Sequence, residues 1–409
     1  MAGKKRIAVF SIDAKLGDEV RGATRYTFLC ELLARAGYEV DFITSRFQHW
    51  DKRFRDATTF DAGTDSFAVR FIEEPGYPKN ICPQRIWSHH IAAKSARAYF
   101  DEHHDYDLIY CQIPPNDVAR EIGRAAKRYG IPFVVDVNDL WPEAFRVALD
   151  IPVVSDVLFW PLYRQARAAY DLADAIVGTS DEYASRAFAD RPHDIPSITV
   201  YVGNDLSAFD AGARAHAAEV VKPEGEVWIT YAGTLSACYD LVTLVRAVAS
   251  AQKADPRIKL KLLGDGAARP EIERAVAETG CDAELVGYMP YDVMAAWLCA
   301  SDITVNSLVG KAAQSIVTKI GDYLAAGIPM VNTSKSAEFS AKVEADGFGV
   351  NVEPQSPDAL ASALLELVAA PDARMQMGVR ARAVAEEQFD RPHAYRKTVK
   401  LIERLIEER

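Results

Sequence analysis

Nowhere in the 409 residues do about 18 apolar side chains follow one another, the length a helix needs to cross a bilayer. No segment is therefore expected to span a membrane. The opening MAGKKRIAVFSID has too short an apolar part for a signal peptide and reads as a first strand. Cysteine is scarce and scattered: Cys30, Cys82, Cys111, Cys238, Cys281 and Cys299 form no CxxC pair and no metal-ligand spacing. Reduced thiols in a cytoplasmic protein are the simplest expectation. Basic charge is in deficit, with 47 Lys and Arg against 58 Asp and Glu, a net charge of −11. That excludes general nucleic-acid binding, which needs a dominant basic face. Histidine is nearly missing from the second half, where only His216 and His393 occur, neither at the end of a strand. Short repeats and low-complexity segments are absent too.

The charge that is present is uneven. Residues 1–100 hold 16 Lys and Arg against 12 Asp and Glu, so the remainder carries −15. The N-terminal part is the place for an anionic ligand or a membrane surface, unless these are scattered solvated charges.

Strand-like runs alternate with amphipathic helices almost throughout. RIAVFSI (6–12), YEVDFITS (38–45), DLIYCQ (107–112), FVVDVND (133–139) and DAIVGTS (174–180) read as strands. TRYTFLCELLARAG, DVAREIGRAAKRYG and DEYASRAFA read as the helices between or after them. A polar stretch, 198–226, reads as a link. The rhythm then restarts with strands WITYAG, KLKLLGDG, AELVGY, ITVNS and IPMVNT, separated by helices. Such alternation predicts an α/β protein of two Rossmann-like domains, each a parallel sheet covered by helices on both faces. Ligands are expected at the carboxyl ends of the strands, in a cleft between the domains. HAYRKTVKLIERLIEER at the C-terminus is an amphipathic helix that either caps the second domain or returns to the first.

SIVTKIGDYLAAGIPMV (315–331) carries the most chemistry. Ile316, Ile320, Tyr323 and Leu324 make an apolar helical stripe, and Lys319 and Asp322, three apart, flank it. With Ser315 or Thr318 as cap, free N–H groups and a lysine make a seat for a diphosphate, and Asp322 can accept from a ribose diol. A surface ion pair is the competing reading. Glycines end three neighbouring strands: Gly233 in TYAGTLSACYD, Gly264 in LLGDGA and Gly287 before Tyr288 in LVGYMP. Each lets backbone N–H groups approach a phosphate, or makes a turn. In the first half, SRFQHWDKRFRD (45–56) and PGYPKNICPQRIWSHH (75–90) mix cations with aromatics, which suits a phosphorylated or sugar ligand or merely two charged loops. VLFWPLYRQARAAY (157–170) is either an interfacial segment or a core helix.

In order and spacing these motifs resemble the GT-B glycosyltransferases, in particular the large retaining family 4 of bacterial glycan biosynthesis. YAGTLS, LKLLGDGA, LVGYMP, ASDITVNS and TKIGDYLAAGIPMV resemble its donor domain; the Gly/Arg loop after the first strand, FVVDVNDLWPE, ADAIVGTSDEY and YVGND resemble its acceptor domain. The resemblance implies GT-B architecture: residues 1–205 an acceptor domain, 206–390 a donor-nucleotide domain, 391–409 a C-terminal helix returning to the first domain. It implies transfer of a sugar from a nucleotide diphosphate of the UDP or GDP type to a glycan or lipid-linked acceptor, with retention. No further cofactor is implied, and no DxD motif calls for a metal. The place implied is the cytoplasm or the inner face of its membrane.

Residue by residue, the family's paired glutamates fall on Gln314 and Asp322, and its phosphate-binding Arg and Lys on Thr234 and Tyr239. Neither of the latter is cationic, so Lys319, with Lys311 or Arg21, is left to neutralise the diphosphate. Donor contacts are implied at Gly233, Thr234, Gly264, Gly287, Tyr288, Gln314, Ser315, Thr318 and Asp322. Acceptor contacts are implied at Arg21, Gly22, His49, Lys52, Lys79 and Arg85. Asp139, preceded by Asn138 where relatives carry histidine, is implied to polarise the acceptor hydroxyl, or else to cap its turn. A GT-B-type sugar-nucleotide epimerase and a non-catalytic nucleotide-binding partner subunit are the alternatives.

Overall fold

Five consecutive apolar-rich residues, Arg6–Phe10 (β1), cannot face water on either side, so they pair on both edges. The structure is a computed structural model describing residues 3–20, 24–58, 60, 64–146, 151, 153–189, 192, 194–310 and 316–409. The chain divides into two compact units, Met1–Val200 with Tyr395–Arg409, and Tyr201–Ala394.

In the first unit β1 lies between β2 (Glu39–Ser45) and β6 (Leu108–Ile113); a hairpin of β3 (Phe47–Gln48) and β4 (Arg53–Phe54) stands apart. The sheet is completed by β5 (Ala68–Ile72), β7 (Phe133–Val137), β8 (Ala175–Gly178) and β9 (Ser197–Thr199), in the order β5-β2-β1-β6-β7-β8-β9. All its pairings are parallel; Val9 lies opposite Phe42 on one side and Tyr110 on the other. The second unit repeats the plan with β10 (Val227–Ala232), β11 (Ile258–Leu263), β12 (Ala283–Gly287), β13 (Ile303–Asn306), β14 (Met330–Asn332) and β15 (Gly349–Asn351). Its order is β12-β11-β10-β13-β14-β15, again all parallel. The two Rossmann-like sheets expected from the alternation are therefore present. In each, strand order reverses beside the first strand, at β1/β6 and at β10/β13. Open α/β sheets bind ligands outside the carboxyl ends of the strands at such a switch point.

Period-two burial gives the second sheet a core on both faces. Ile229 and Tyr231 pack with Leu244, Val248 and Leu260 on one side. Ala232 and Leu263 pack with Ile320, Tyr323 and Phe339 on the other.

The stretch 198–226 is not the link its composition suggested. Leu206–His216 is a helix capped by Asp205, which accepts from the Ala208 N–H. Leu206, Phe209 and Gly212 are buried at helical spacing, and a Cβ on Gly212 would stand 2.7 Å from the Asp292 Cα. Close packing on the helix Tyr291–Ala300 holds it, and small residues permit that approach. The helix Val154–Tyr170 is buried along one face only. Phe159, Ala166, Ala169 and Tyr170 are buried, while Val154, Val157, Leu158 and Trp160 are exposed. Among the described residues no helix is long and apolar enough to cross a membrane.

Candidate functional site

Two rims at the switch points gather the chemistry. In the second unit β10 ends at Ala232, whose N–H donates to the Tyr323 hydroxyl (2.8 Å) and whose C=O accepts from it (3.0 Å). Tyr323 thus completes the end of the strand, and Gly233 turns away at φ +145°. A Cβ at Gly233 would lie 2.9 Å from Lys319 Nζ, and one at Gly264 would lie 2.0 Å from the Gly233 carbonyl oxygen. Only glycine allows these loops and the lysine to share the space. The Gly233 N–H donates to Leu263 and that of Gly264 to Gly287, so the three glycine turns are stacked edge to edge.

Lys319 opens the helix Lys319–Ala325 and reaches back to β10. Its ammonium donates to the Tyr231 hydroxyl (2.7 Å), which donates on to the Thr234 carbonyl (2.9 Å). It lies 3.9 Å from the ring centre of Tyr231 and 3.5 Å from that of Tyr239. Among the described residues no carboxylate comes within ion-pair reach of it. Burial holds its pKa well below the lysine range.

Asp322 does not pair with it, so the surface ion pair is not what forms. Its Oδ1 accepts from Tyr291 (2.7 Å) and from the Asn204 amide (2.9 Å), and among the described residues Oδ2 has no donor. Burial raises its pKa against the pull of those two bonds and of Arg391.

The helix N-terminus offers less than its sequence suggested. It starts at Lys319, Thr318 makes no capping bond, and the N–H groups of Ile320 and Gly321 are taken by the carbonyls of Val317 and Thr318. Gly287 turns at φ +90° before Tyr288, which is exposed. Thr234 is exposed as well. Gln314, Ser315 and Lys311 lie outside the described residues, as do Arg21 and Gly22.

In the first unit an aromatic cluster occupies the ends of β2, β5 and β7. His49 Nδ1 and the Tyr77 hydroxyl are 2.5 Å apart, and His89 stacks on Trp141 at 5.7 Å. The Arg85 guanidinium lies over the rings of Trp141 (4.7 Å) and Tyr77 (5.5 Å). Lys52 donates to Asn80 (2.6 Å) and faces Tyr77. Burial, then Lys52 and Arg85, drives His49 down to about 4; burial, then Arg85 and His49, drives His89 to about 3. Both imidazoles are therefore neutral near pH 7, so His49 is not one of the cations its loop was expected to supply. Lys79 is exposed and its side chain joins none of these contacts. Asp139 caps its turn: Oδ1 accepts from the Leu140 N–H (2.8 Å) and Oδ2 from the Trp141 indole (3.2 Å). The Asn138 N–H donates to Ile113.

Sequence reasoning passed over Asp13, three residues beyond β1. Burial raises its pKa, opposed by a hydrogen bond from Gln112 and by Arg85. It also passed over Tyr231, Tyr291 and Asn204, although Tyr231 and Asn204 stand inside the quoted TYAG and YVGND motifs, and it took Tyr323 only as part of an apolar stripe. Among the described residues no group of His, Cys, Asp and Glu is arranged to hold a metal ion.

No curated protein sequence is significantly similar to the chain. Solved structures share its fold. Sucrose-phosphate synthase from Thermosynechococcus elongatus superposes with TM-score 0.74 at 20% identity, over 99% of this chain and 100% of the other. HepE of Anabaena, in complex with UDP, gives 0.71 at 14%, over 98% and 99%. A UDP-forming α,α-trehalose-phosphate synthase from Burkholderia vietnamiensis gives 0.71 at 14%, over 98% and 99%. Two family models match in tandem, the glycosyl transferase 4-like domain over residues 21–203 and the glycosyl transferases group 1 over residues 226–370. Together these span most of the chain, which belongs to the GT-B glycosyltransferases of the family 4-like kind.

Proposed function

We propose that the protein transfers a sugar from a nucleotide diphosphate to a glycan or lipid-linked acceptor, with retention of anomeric configuration. The observation that carries this is Lys319: a desolvated ammonium with no counter-ion among the described residues, at the β10/β13 switch point, against the glycine turn at Gly233. Such a cation stabilises an anion supplied from outside. HepE of Anabaena forms complexes with UDP and with UDP-glucose, which supports a diphosphate donor of the UDP type. The acceptor oxygen forms a bond to the anomeric carbon as the bond from that carbon to the β-phosphate oxygen breaks. The acceptor's proton passes to the departing phosphate. Lys319 and the N–H groups of the glycine loops hold the charge that develops there. Asp322 Oδ2 accepts from the ribose. In the first unit Arg85 and Lys52, set on aromatic rings, suit a phosphorylated acceptor. Asp13 and Asp139 are the carboxylates that orient its hydroxyl.

No divalent ion is assigned a step. A panel of UDP- and GDP-sugars, incubated with purified protein, should show one donor hydrolysed or transferred at a rate unchanged by EDTA. Full loss with the chelator removes the metal-independent reading. Donor binding without turnover on any acceptor favours a non-catalytic partner subunit.

A lipid-linked acceptor also gives the exposed Val154, Val157, Leu158 and Trp160 a role at a membrane surface. Vesicles of anionic phospholipid should carry the protein upward on flotation, and Val157→Asp with Leu158→Asp should leave it in the dense fraction. Equal flotation of the variant overturns the contact.

A further inference from the structure

We infer that Asn204 is a positioning residue for the donor site, setting Asp322 through its side-chain amide; this rests on the reading of Asp322 as the ribose acceptor. Asn204 is 6% exposed and lies on the segment that enters the second unit. Its backbone is clamped on both sides. Its N–H donates to the Phe389 carbonyl (3.0 Å), and its own carbonyl accepts from the Arg391 N–H (2.9 Å). The clamp is tight along its length. Tyr201 stacks on Phe389 with ring centres 4.6 Å apart, and Arg391 Nε donates to the carbonyls of Val202 and Gly203. Gly203 turns at φ +58°, where a Cβ would stand 2.1 Å from the Phe389 oxygen. The partner strand is the end of a π-helical turn, Ala385–Phe389, a form frequent at functional sites.

From this fixed backbone the Asn204 amide reaches Asp322 Oδ1 (2.9 Å), and the same amide approaches the Tyr291 hydroxyl (3.3 Å), itself bonded to Oδ1 (2.7 Å). Both donors therefore converge on one oxygen of Asp322. The carboxylate cannot rotate without losing both, so Oδ2 is kept in one direction for a ligand. The amide oxygen of Asn204 is buried with no partner among the described residues. A buried orphan acceptor costs stability, so the geometry serves the bond to Asp322 rather than the packing. The chain as it enters and leaves the second unit is thereby tied to the carboxylate that reads the ribose.

The test is a double-mutant cycle read by UDP affinity, or GDP affinity where UDP does not bind. Asp322→Ala and Asn204→Ala should each weaken binding about tenfold or more, the scale of a lost hydrogen bond to a charged group. The double variant should be no weaker than Asp322→Ala alone. A purely structural asparagine would cost the same affinity in both backgrounds. Additive losses, or wild-type affinity in Asn204→Ala, overturn the positioning role alone. Wild-type affinity in Asp322→Ala overturns the ribose reading and the positioning with it. Tyr291→Phe removes one hydroxyl and no backbone bond, so the cycle can be closed with it if Asn204→Ala does not fold. There, too, a loss independent of Asp322 counts against the role.

Discussion

Replacing Lys319 by methionine should weaken UDP binding by about two orders of magnitude and make the ligand-free protein more stable. The two effects share one cause. An ammonium buried among tyrosine rings, with no carboxylate among the described residues in ion-pair reach, costs free energy until an anion arrives. Methionine fills similar space without charge. Truncating one side of a desolvated charge pair costs about 2–5 kcal/mol of binding, roughly 30-fold or more. Where the leaving diphosphate develops charge, the loss in turnover should reach about 10²–10³.

The pH dependence of stability has a definite sign. Burial holds the folded-state pKa of Lys319 well below its ordinary value, whereas the unfolded chain keeps the proton up to about pH 10.4. Between those two values the unfolded chain binds a proton that the folded chain lacks, so stability rises with pH in that window. Below the folded pKa both states hold the proton and the whole cost is present. The gain in the methionine variant should therefore be largest toward the acid end and vanish in strong alkali. A diphosphate beside the amine favours its charged form. Wild-type binding in the alkaline range should take up protons, seen as a calorimetric enthalpy that varies with the ionisation enthalpy of the buffer. Lys319→Met should show no such uptake from this site. Wild-type affinity in the variant, or a lower melting temperature, contradicts the account.

How much of this was legible beforehand depended on whether a signal was local. The alternation of apolar runs with helical stripes announced both sheets, because buried parallel strands must be nearly continuous in apolar residues. The strand β15 escaped because Gly349–Asn351 is three residues long and carries a single apolar side chain larger than glycine. The helix Leu206–His216 escaped because glycine and alanine, which let it pack closely, look like loop composition. At the site Lys319 and Gly233 were found from the sequence, since each is informative within a short window. The packing of Lys319 Nζ into the space a Cβ at Gly233 would fill was not, because it joins residues 86 positions apart. Of the tyrosines that desolvate the lysine, Tyr231 was passed over and Tyr239 was noted only as the place of a family cation. The pairing of Asp322 with Asn204 joins residues 118 apart. The aromatic wall around Lys319 is revealed only by the folded chain.

Arg25→Met should destabilise the first unit by about 3–5 kcal/mol, the cost of leaving one charge of a buried pair uncompensated. Arg25 stands at the start of the helix Arg25–Arg35 and grips Asp136 of β7 through Nε and Nη2 of its guanidinium, each at 3.0 Å. Asp136 is fully buried and Arg25 nearly so. The remaining arm donates to the Val200 carbonyl and the Tyr395 hydroxyl, both at 3.0 Å. One side chain thus joins the first helix, a central strand, the last residue before the second unit and the segment that returns from it. With methionine there, Asp136 keeps the Tyr110 hydroxyl (2.9 Å) but, among the described residues, no cation to balance its charge. At about 2–4 °C per kcal/mol for a unit of this size, melting should fall by roughly 10 °C. Tyr395 would retain its edge-on contact with Phe28 at 5.5 Å but lose its polar tether. Hydrogen exchange in residues 396–407 should therefore quicken more than in β1. Arg25→Met combined with Asp136→Leu should recover most of the loss, because the penalty lies in the orphaned carboxylate rather than in the missing bonds. A single variant as stable as the wild type, or a double variant no better than the single, would show that the pair is not what holds these four segments together.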